Sequence, residues 1–331
     1  MQPNQQNPLN PTPPYSNIPE YLNMEPVADP SVIKMQRKKR FVRTILIALI
    51  VMLLVIAGGW LLWLQTWNAP QQKLYRALEN SLKVSYLSRK YNIKNVSPSK
   101  EIAYTADSDL SRSSDPKTRL SYTDSRTNDQ SVTTTVTGEK IILNQNEYFS
   151  IIKQVTPAAA SAGLLLNEWN RAELSKSFQN NFDGIDSLAG LNSVQGIVVF
   201  GNFTEAQRKE LMSIITSNKL YNVTANKTSK ESGRDMITYT VALDVTKVNT
   251  LNKKALELVG SDQYVALTQS KKDKGELNIT VDEKSEKIVK ITYGIKKNTT
   301  VNFEKTINIS YPSAFSIEKP AIVNSEAPIN G

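Results

Sequence analysis

The run ITYTVALDVTKVNTLNKKALELVG (residues 237–260) decides the fold class. Its first part alternates. Ile237, Tyr239, Val241, Leu243 and Val245 are apolar, and Thr238, Thr240, Ala242 and Asp244 between them are polar or small. Successive side chains of a strand point to opposite faces, so this pattern predicts a strand with one face buried. From about Val248 to Val259 the apolar spacing turns helical, and Gly260 is placed to close the helix in the left-handed conformation. A half-buried strand running into a helix belongs to an antiparallel sheet that has helices on one face.

Forward from this run, Leu277, Ile279 and Val281, a turn at Asp282–Glu286, and Val289, Ile291 and Tyr293 read as a β-hairpin. A last strand carries Val301, Phe303, Ile307, Ile309 and Tyr311 on one face. After Pro312 the chain is Pro-rich and is expected to run over the surface, with residues 316–331 a flexible tail.

Backward from it, Thr204-Glu205-Ala206-Gln207 is a capping box. It opens a helix to about Ser217 with Leu211, Met212, Ile214 and Ile215 facing inward. Residues 196–200 (GIVVF) read as a short buried strand and residues 180–196 as a Gly/Asn/Asp-rich loop. Within that loop Asp183-Gly184-Ile185-Asp186 lacks the alternating oxygen ligands and terminal Glu of a calcium loop, so no metal site is assigned. Residues 164–178 are expected to form a helix with Leu165, Trp169 and Ala172 on one side, and Trp169 and Phe178 are read as core aromatics. Residues 156–163 form a connection or a small helical piece. Between about 90 and 155 the chain is strand-like, clearest at residues 118–126, 131–137 and 147–153. Gly138-Glu139 is read as a turn, and residues 108–118 as a loop. Pro70 suits the first position of a helix in which Leu74, Tyr75, Leu78 and Leu82 recur at helical spacing to about Tyr86.

Before the folded part lies a different kind of sequence. Residues 44–64, TILIALIVMLLVIAGGWLLWL, hold no charge and no Pro. As a helix these residues reach about 31 Å, which matches the hydrocarbon core of a bilayer. Lys34, Arg37, Lys38, Lys39, Arg40 and Arg43 precede the span with no acid among them. The positive-inside bias therefore places the N-terminus in the cytoplasm and residues 65–331 outside the cell membrane as a single-pass protein. Trp60, Trp63 and Trp67 cluster at the outer end, where amphipathic rings prefer to lie. A cleaved signal peptide ending near Val55-Ile56-Ala57 is the rival reading. Against it stand the continued apolar run to Leu64 and an n-region of about forty residues. Gly58-Gly59 offers no GxxxG dimerisation face. Residues 1–43 form a Pro/Asn/Gln-rich tail expected to be disordered, and residues 11–15 (PTPPY) are too short a polyproline ligand to argue from.

The expected organisation is therefore a tail (1–43), a transmembrane helix (44–64), a juxtamembrane helix (65–88), an extracytoplasmic α+β domain (89–315) and a C-terminal tail (316–331). The domain is an antiparallel sheet of eight to eleven strands with helices gathered on one side.

Composition removes several functions. The chain has no Cys and no His, and carries a net charge of +9. Missing His and Cys excludes Ser-His-Asp and Cys-His catalysis, His/Cys zinc sites and c-type haem attachment. An enzyme would need a carboxylate pair or a Ser-Lys dyad, and Glu168 or Asp183 stand out only for want of better candidates. The expectation is no enzyme, no cofactor and no metal. The basic residues do not form an Arg-rich stripe interleaved with aromatics, so no nucleic-acid partner is expected. Mild basicity suits lipid headgroups, wall polymers or envelope proteins. Asn-x-Ser/Thr triplets such as those at Asn202, Asn222, Asn226, Asn278, Asn298 and Asn308 follow from abundant Asn and Thr, and glycosylation is not inferred.

The order of strand, helix, hairpin and strand in YTVALDVTKVNTLNKKALELVG, GELNITVDEKSEKIVKITY and VNFEKTINISY resembles the lipoprotein-carrier superfamily, with its LolA-like carriers and LppX/LprG-like lipoproteins. The likeness covers the element order of about residues 71–315. It implies a curled, half-barrel-like sheet whose concave face, covered by helices, accepts acyl chains. This chain departs from those relatives in having no Cys for lipidation and a membrane helix in its place. No functional residue is carried over, so the ligand-binding residues stay unassigned. The alternative is an envelope interaction domain with a solid core and no ligand.

Overall fold

The computed structural model describes residues 30–321, apart from 67–68, 96–99, 113, 129, 144–146, 162–163, 165, 174–195, 262–265, 267–274 and 298–299. The chain divides into two compact units, Met1–Trp63 and Leu64–Gly331.

In the first unit one helix, α1 (Pro30–Thr66), contains both the basic run and the apolar stretch. The basic residues from Lys34 to Arg43 are thus helical and do not belong to an irregular tail. Arg40–Leu61 is long and apolar enough to cross a membrane, and its large side chains, Leu53, Leu54 and Val55 among them, are exposed. The polyproline-like residues 11–15 lie outside the described residues.

The second unit is an open antiparallel sheet of eleven strands in the order β6-β5-β4-β3-β2-β1-β11-β10-β9-β8-β7. The strands are β1 (Tyr86–Asn95), β2 (Lys100–Asp109), β3 (Lys117–Thr127), β4 (Thr133–Leu143), β5 (Glu147–Thr156), β6 (Asn170–Glu173), β7 (Asn222–Glu231), β8 (Arg234–Ala242), β9 (Gly275–Asp282), β10 (Lys287–Lys297) and β11 (Thr300–Ser310). Two meanders meet at the centre. One runs outward from β1 to β6 and the other runs inward from β7 to β11, and β1 pairs with β11. The edge strand β7 is mostly exposed and carries Lys227 and Lys230, charges that oppose pairing with another chain.

Among the described residues three helices cover one face: α2 (Pro70–Ser81), α3 (Glu205–Ser217) and α4 (Val245–Leu258). Leu74 and Leu78 of α2, Leu211 and Ile215 of α3, and Val248, Leu251 and Leu256 of α4 join the inward residues of the strands in one core. Among those strand residues are Ile237, Tyr239, Val241, Leu277, Ile279, Val281, Ile291 and Ile307. Pro70 takes the start of α2, and Thr204 and Gln207 make the reciprocal capping box of α3.

Several boundaries differ from the sequence expectation, each for a physical reason. The alternation through Val245 overran the strand. β8 ends at Ala242 because the Asp244 carboxylate accepts from the Lys247 backbone N–H and caps α4. Gly138 lies inside β4, opposite a bulge in β5, and makes no turn. A Cβ there would lie 2.3 Å from the Ile151 carbonyl oxygen and 2.6 Å from the Tyr122 hydroxyl, so the strand needs Gly for close approach. Residues 170–173, expected as helix, form β6 and pair with Glu147–Ser150 of β5. Leu165 and Phe178 lie outside the described residues. The loop 108–118 is shorter than expected, because β2 continues to Asp109 and β3 begins at Lys117. The chain after Pro312 does not fray at once. Phe315 and Ile317 pack with Ile141, Leu143, Phe149 and Trp169 in a second cluster, and Ile317 is buried.

Glu139 on β4 receives Lys153 from β5 and Arg119 from β3, the latter at 2.8 Å. Burial pushes its carboxyl upward, but the hydrogen bonds and charges of Lys153 and Arg119 outweigh this and hold it below the ordinary carboxylate value of 4.5. A carboxylate depressed on folding contributes stability above its unfolded value and loses it as pH falls through the folded value. Glu139→Gln is therefore expected to cost about 1 kcal/mol at pH 7. The gap should narrow as pH falls below 4.5 in urea titrations, and a gap that persists once the carboxyl is protonated would locate the effect in packing.

Candidate functional site

The centre of the covered face is occupied by chain that forms no strand. Residues 196–203 run between the sheet and the helices as an irregular strap, and Gly196, Ile197, Val198, Val199, Phe200 and Phe203 are buried. The expected short strand at 196–200 is absent because this backbone bonds mainly to side chains and helix ends. Asn252 of α4 donates to the Gly196 carbonyl at 3.1 Å and accepts from its N–H at 3.4 Å. The Tyr221 hydroxyl donates to the Ile197 carbonyl, and Ser81 at the end of α2 donates to that of Val199. Backbone bonds take over only beyond this point, with Gly201 bonding to Ser81 and Val84, and Phe203 to Leu82. Buried backbone polar groups must find partners, and here three side chains supply them. Tyr221 is fully buried, and burial pushes its phenol upward.

Beneath the strap the sheet is not purely apolar. The inward row of β1 reads Leu87, Arg89, Tyr91, Ile93, all buried, and that of β11 includes Lys305, Ile307 and Ile309. Arg89 is 3% exposed and Lys305 1%. Arg89 Nη2 donates to Ser108 Oγ at 2.8 Å, and Ser108 lies 3.0 Å from Thr118 Oγ1, so a polar ladder crosses β1, β2 and β3. Tyr91 stacks on Tyr104 with ring centroids 4.2 Å apart. Lys305 Nζ lies 5.1 Å from the Tyr91 ring centroid and the Arg89 guanidinium carbon 5.8 Å from it. Burial raises the Tyr91 phenol, and Arg89 partly offsets that rise. Between this cationic patch and Ile197, Val198 and Phe200 of the strap is a void of about 20 Å³.

Elsewhere a groove of about 440 Å³ lies among Glu231, Arg234, Met236, Lys287, Lys290 and Tyr311. Its lining is charged and polar around a few apolar side chains.

Sequence reasoning did not find Arg89 or Lys305. Strand parity held the signal: in Val301, Phe303, Ile307, Ile309 the skipped inward position is Lys305, and Arg89 falls between Leu87 and Tyr91. Glu168 is exposed, on the approach to β6. Asp183 and Asp186 lie outside the described residues. Among the described residues no three acidic side chains gather into a metal-binding group.

No family model matches the chain, and no curated protein matches its sequence. Solved structures do resemble it. LprF from Mycobacterium bovis is similar at 12% identity and TM-score 0.40, over 76% of this chain and 96% of that one. MucB is similar at 11% identity and TM-score 0.36, over 77% of this chain and 66% of that one. In the MucA/MucB complex of Pseudomonas aeruginosa the figures are 9%, 0.30, 73% and 58%. This chain spans less than two thirds of the MucB chains. Each is a likeness of chain path alone.

Proposed function

We propose that this protein is a single-pass membrane-anchored domain, held outside the cytoplasm, that binds an apolar or amphiphilic ligand on the covered face of its sheet. The strap of residues 196–203 carries the reading. It is a layer without regular secondary structure, lying between helices and sheet and fastened largely by side chains. Shifting it would open apolar sheet surface without breaking a β-ladder. The exposed apolar helix Arg40–Leu61, with six bases between Lys34 and Arg43 at its start, supports anchoring with the N-terminus inside. A curl of the sheet into a half-barrel would give the face the concavity such a ligand needs. Binding, not catalysis, is the activity proposed for a chain without His or Cys.

A second reading is an envelope interaction domain with a solid core. It is favoured by the small volume left under the strap. Native mass spectrometry of the full chain, released from detergent, separates the two. A co-purifying lipid mass lost on denaturation supports the binding reading. A clean protein mass that takes up no added hexadecanol or hexadecyl phosphate overturns it in favour of the interaction domain.

A further inference from the structure

We infer that Arg89 and Lys305 form an anion-recognising point within the ligand site, so that the preferred ligand is an amphiphile with a carboxylate or phosphate group. This rests on the binding function proposed above.

The observation is a cation without adequate reason to be buried. Arginine keeps its charge in any protein environment, and taking a charge out of water costs several kcal/mol unless it is paired. Arg89 is buried on the inward face of a central strand, and its guanidinium is engaged by neutral groups, the Ser108 hydroxyl and the Tyr91 phenol. Its Nε has no hydrogen-bond partner among the described residues. The side chains lining the void include no carboxylate. Lys305 approaches the same Tyr91 ring from the neighbouring strand, so a second cation faces this spot. A core that only had to be filled would place an apolar residue where Arg89 stands, as it does at Leu87 and Ile93 on the same strand.

The chemistry of the patch selects the ligand. A guanidinium presents planar donors matched to carboxylate and phosphate oxygens, and such charge-assisted bonds are about twice as strong as neutral ones. The void of about 20 Å³ holds one water-sized group, not a lipid. An anionic amphiphile therefore enters by displacing the strap, its tail taking the places of Ile197, Val198 and Phe200 and its head reaching the Arg89 Nε. The stacked tyrosines give the head a rigid, largely apolar floor.

The test uses the full chain in nanodiscs of neutral lipid. Equilibrium affinities are measured for hexadecyl phosphate, hexadecanol and inorganic phosphate. The expected result is hexadecyl phosphate binding at least about tenfold tighter than hexadecanol, since the two differ only in the charged head. Arg89→Gln should bring that ratio close to one, and Arg89→Lys should retain part of it. If inorganic phosphate binds as tightly as hexadecyl phosphate, and does so through Arg89, the anion site stands and its source is the free ion. Equal wild-type affinities for hexadecyl phosphate and hexadecanol overturn the anion site while leaving an apolar site intact. Failure of both amphiphiles and of phosphate overturns the binding function itself. Should Arg89→Gln not fold, the wild-type ratio and Lys305→Met decide in the same way.

Discussion

Asn252→Leu should detach the strap and cost about 2–6 kcal/mol of stability, because each buried group left without a partner costs about 1–3 kcal/mol. Asn252 is fully buried in α4, and its amide satisfies both the N–H and the carbonyl of Gly196. Leucine nearly conserves volume but offers neither donor nor acceptor, so two backbone groups would stay buried and unpaired. The effect should be local before it is global. In hydrogen exchange the amides of residues 197–203 should lose protection first, while the β8–β9 ladder keeps its own. Tyr221→Phe removes one strap bond and should cost about 1–3 kcal/mol. The double variant should cost less than the sum, since both hold one segment. Unchanged melting and unchanged exchange in Asn252→Leu would mean that apolar contacts alone hold the strap. The same variant bears on function, because a loosened strap lowers the cost of admitting a ligand and should raise hexadecanol uptake as stability falls.

The parts of this fold that were legible in the sequence are those where local signals and tertiary contacts agree. The capping box at Thr204 and Gln207, the hairpin around Asp282–Glu286 and the Pro70 start of α2 depend on neighbouring residues, and each appears as read. The alternation of residues 237–245 also gave the strand and its inward face. It misplaced the strand end because Asp244 fits a polar strand position as well as a helix cap, and only the Lys247 N–H decides between them.

The illegible parts depend on distant partners. Gly138 looks like a turn residue until Ile151 and Tyr122 are seen crowding it from β5 and β3. Residues 170–173 have no strong strand preference and become β6 because the edge of β5 offers unpaired groups. Residues 196–200 are apolar enough for a strand, yet their backbone is claimed by Ser81, Tyr221 and Asn252 from elements far away in sequence. The candidate site was missed for a related reason. Arg and Lys are expected outside, so their inward parity on β1 and β11 was overlooked, although the alternation itself marks Arg89 and Lys305 as members of the buried row.

On the anchoring proposed above, replacing Leu53 and Leu54 together with Arg should make the protein extractable from membranes. Both residues are exposed and lie at the middle of the uncharged stretch 44–64. On the insertion scale an Arg at the centre of a span costs about 2.5–3.5 kcal/mol, and each lost Leu adds about half a kcal/mol more. The pair therefore opposes insertion by about 6–8 kcal/mol, enough to cancel a helix of this length. Snorkelling offers little relief, because residues near the midplane are about 15 Å from either interface. Alkaline carbonate treatment of membranes should leave the wild-type chain in the pellet and release the double variant. Moving the two arginines to Phe41 and Val42, beside the existing basic run, should leave the chain in the pellet, since that end already sits among Lys and Arg. If the Leu53/Leu54 variant still resists extraction, the second unit itself must hold the membrane. The proposed ligand face would then belong at the lipid surface, and the anchor would only set its distance.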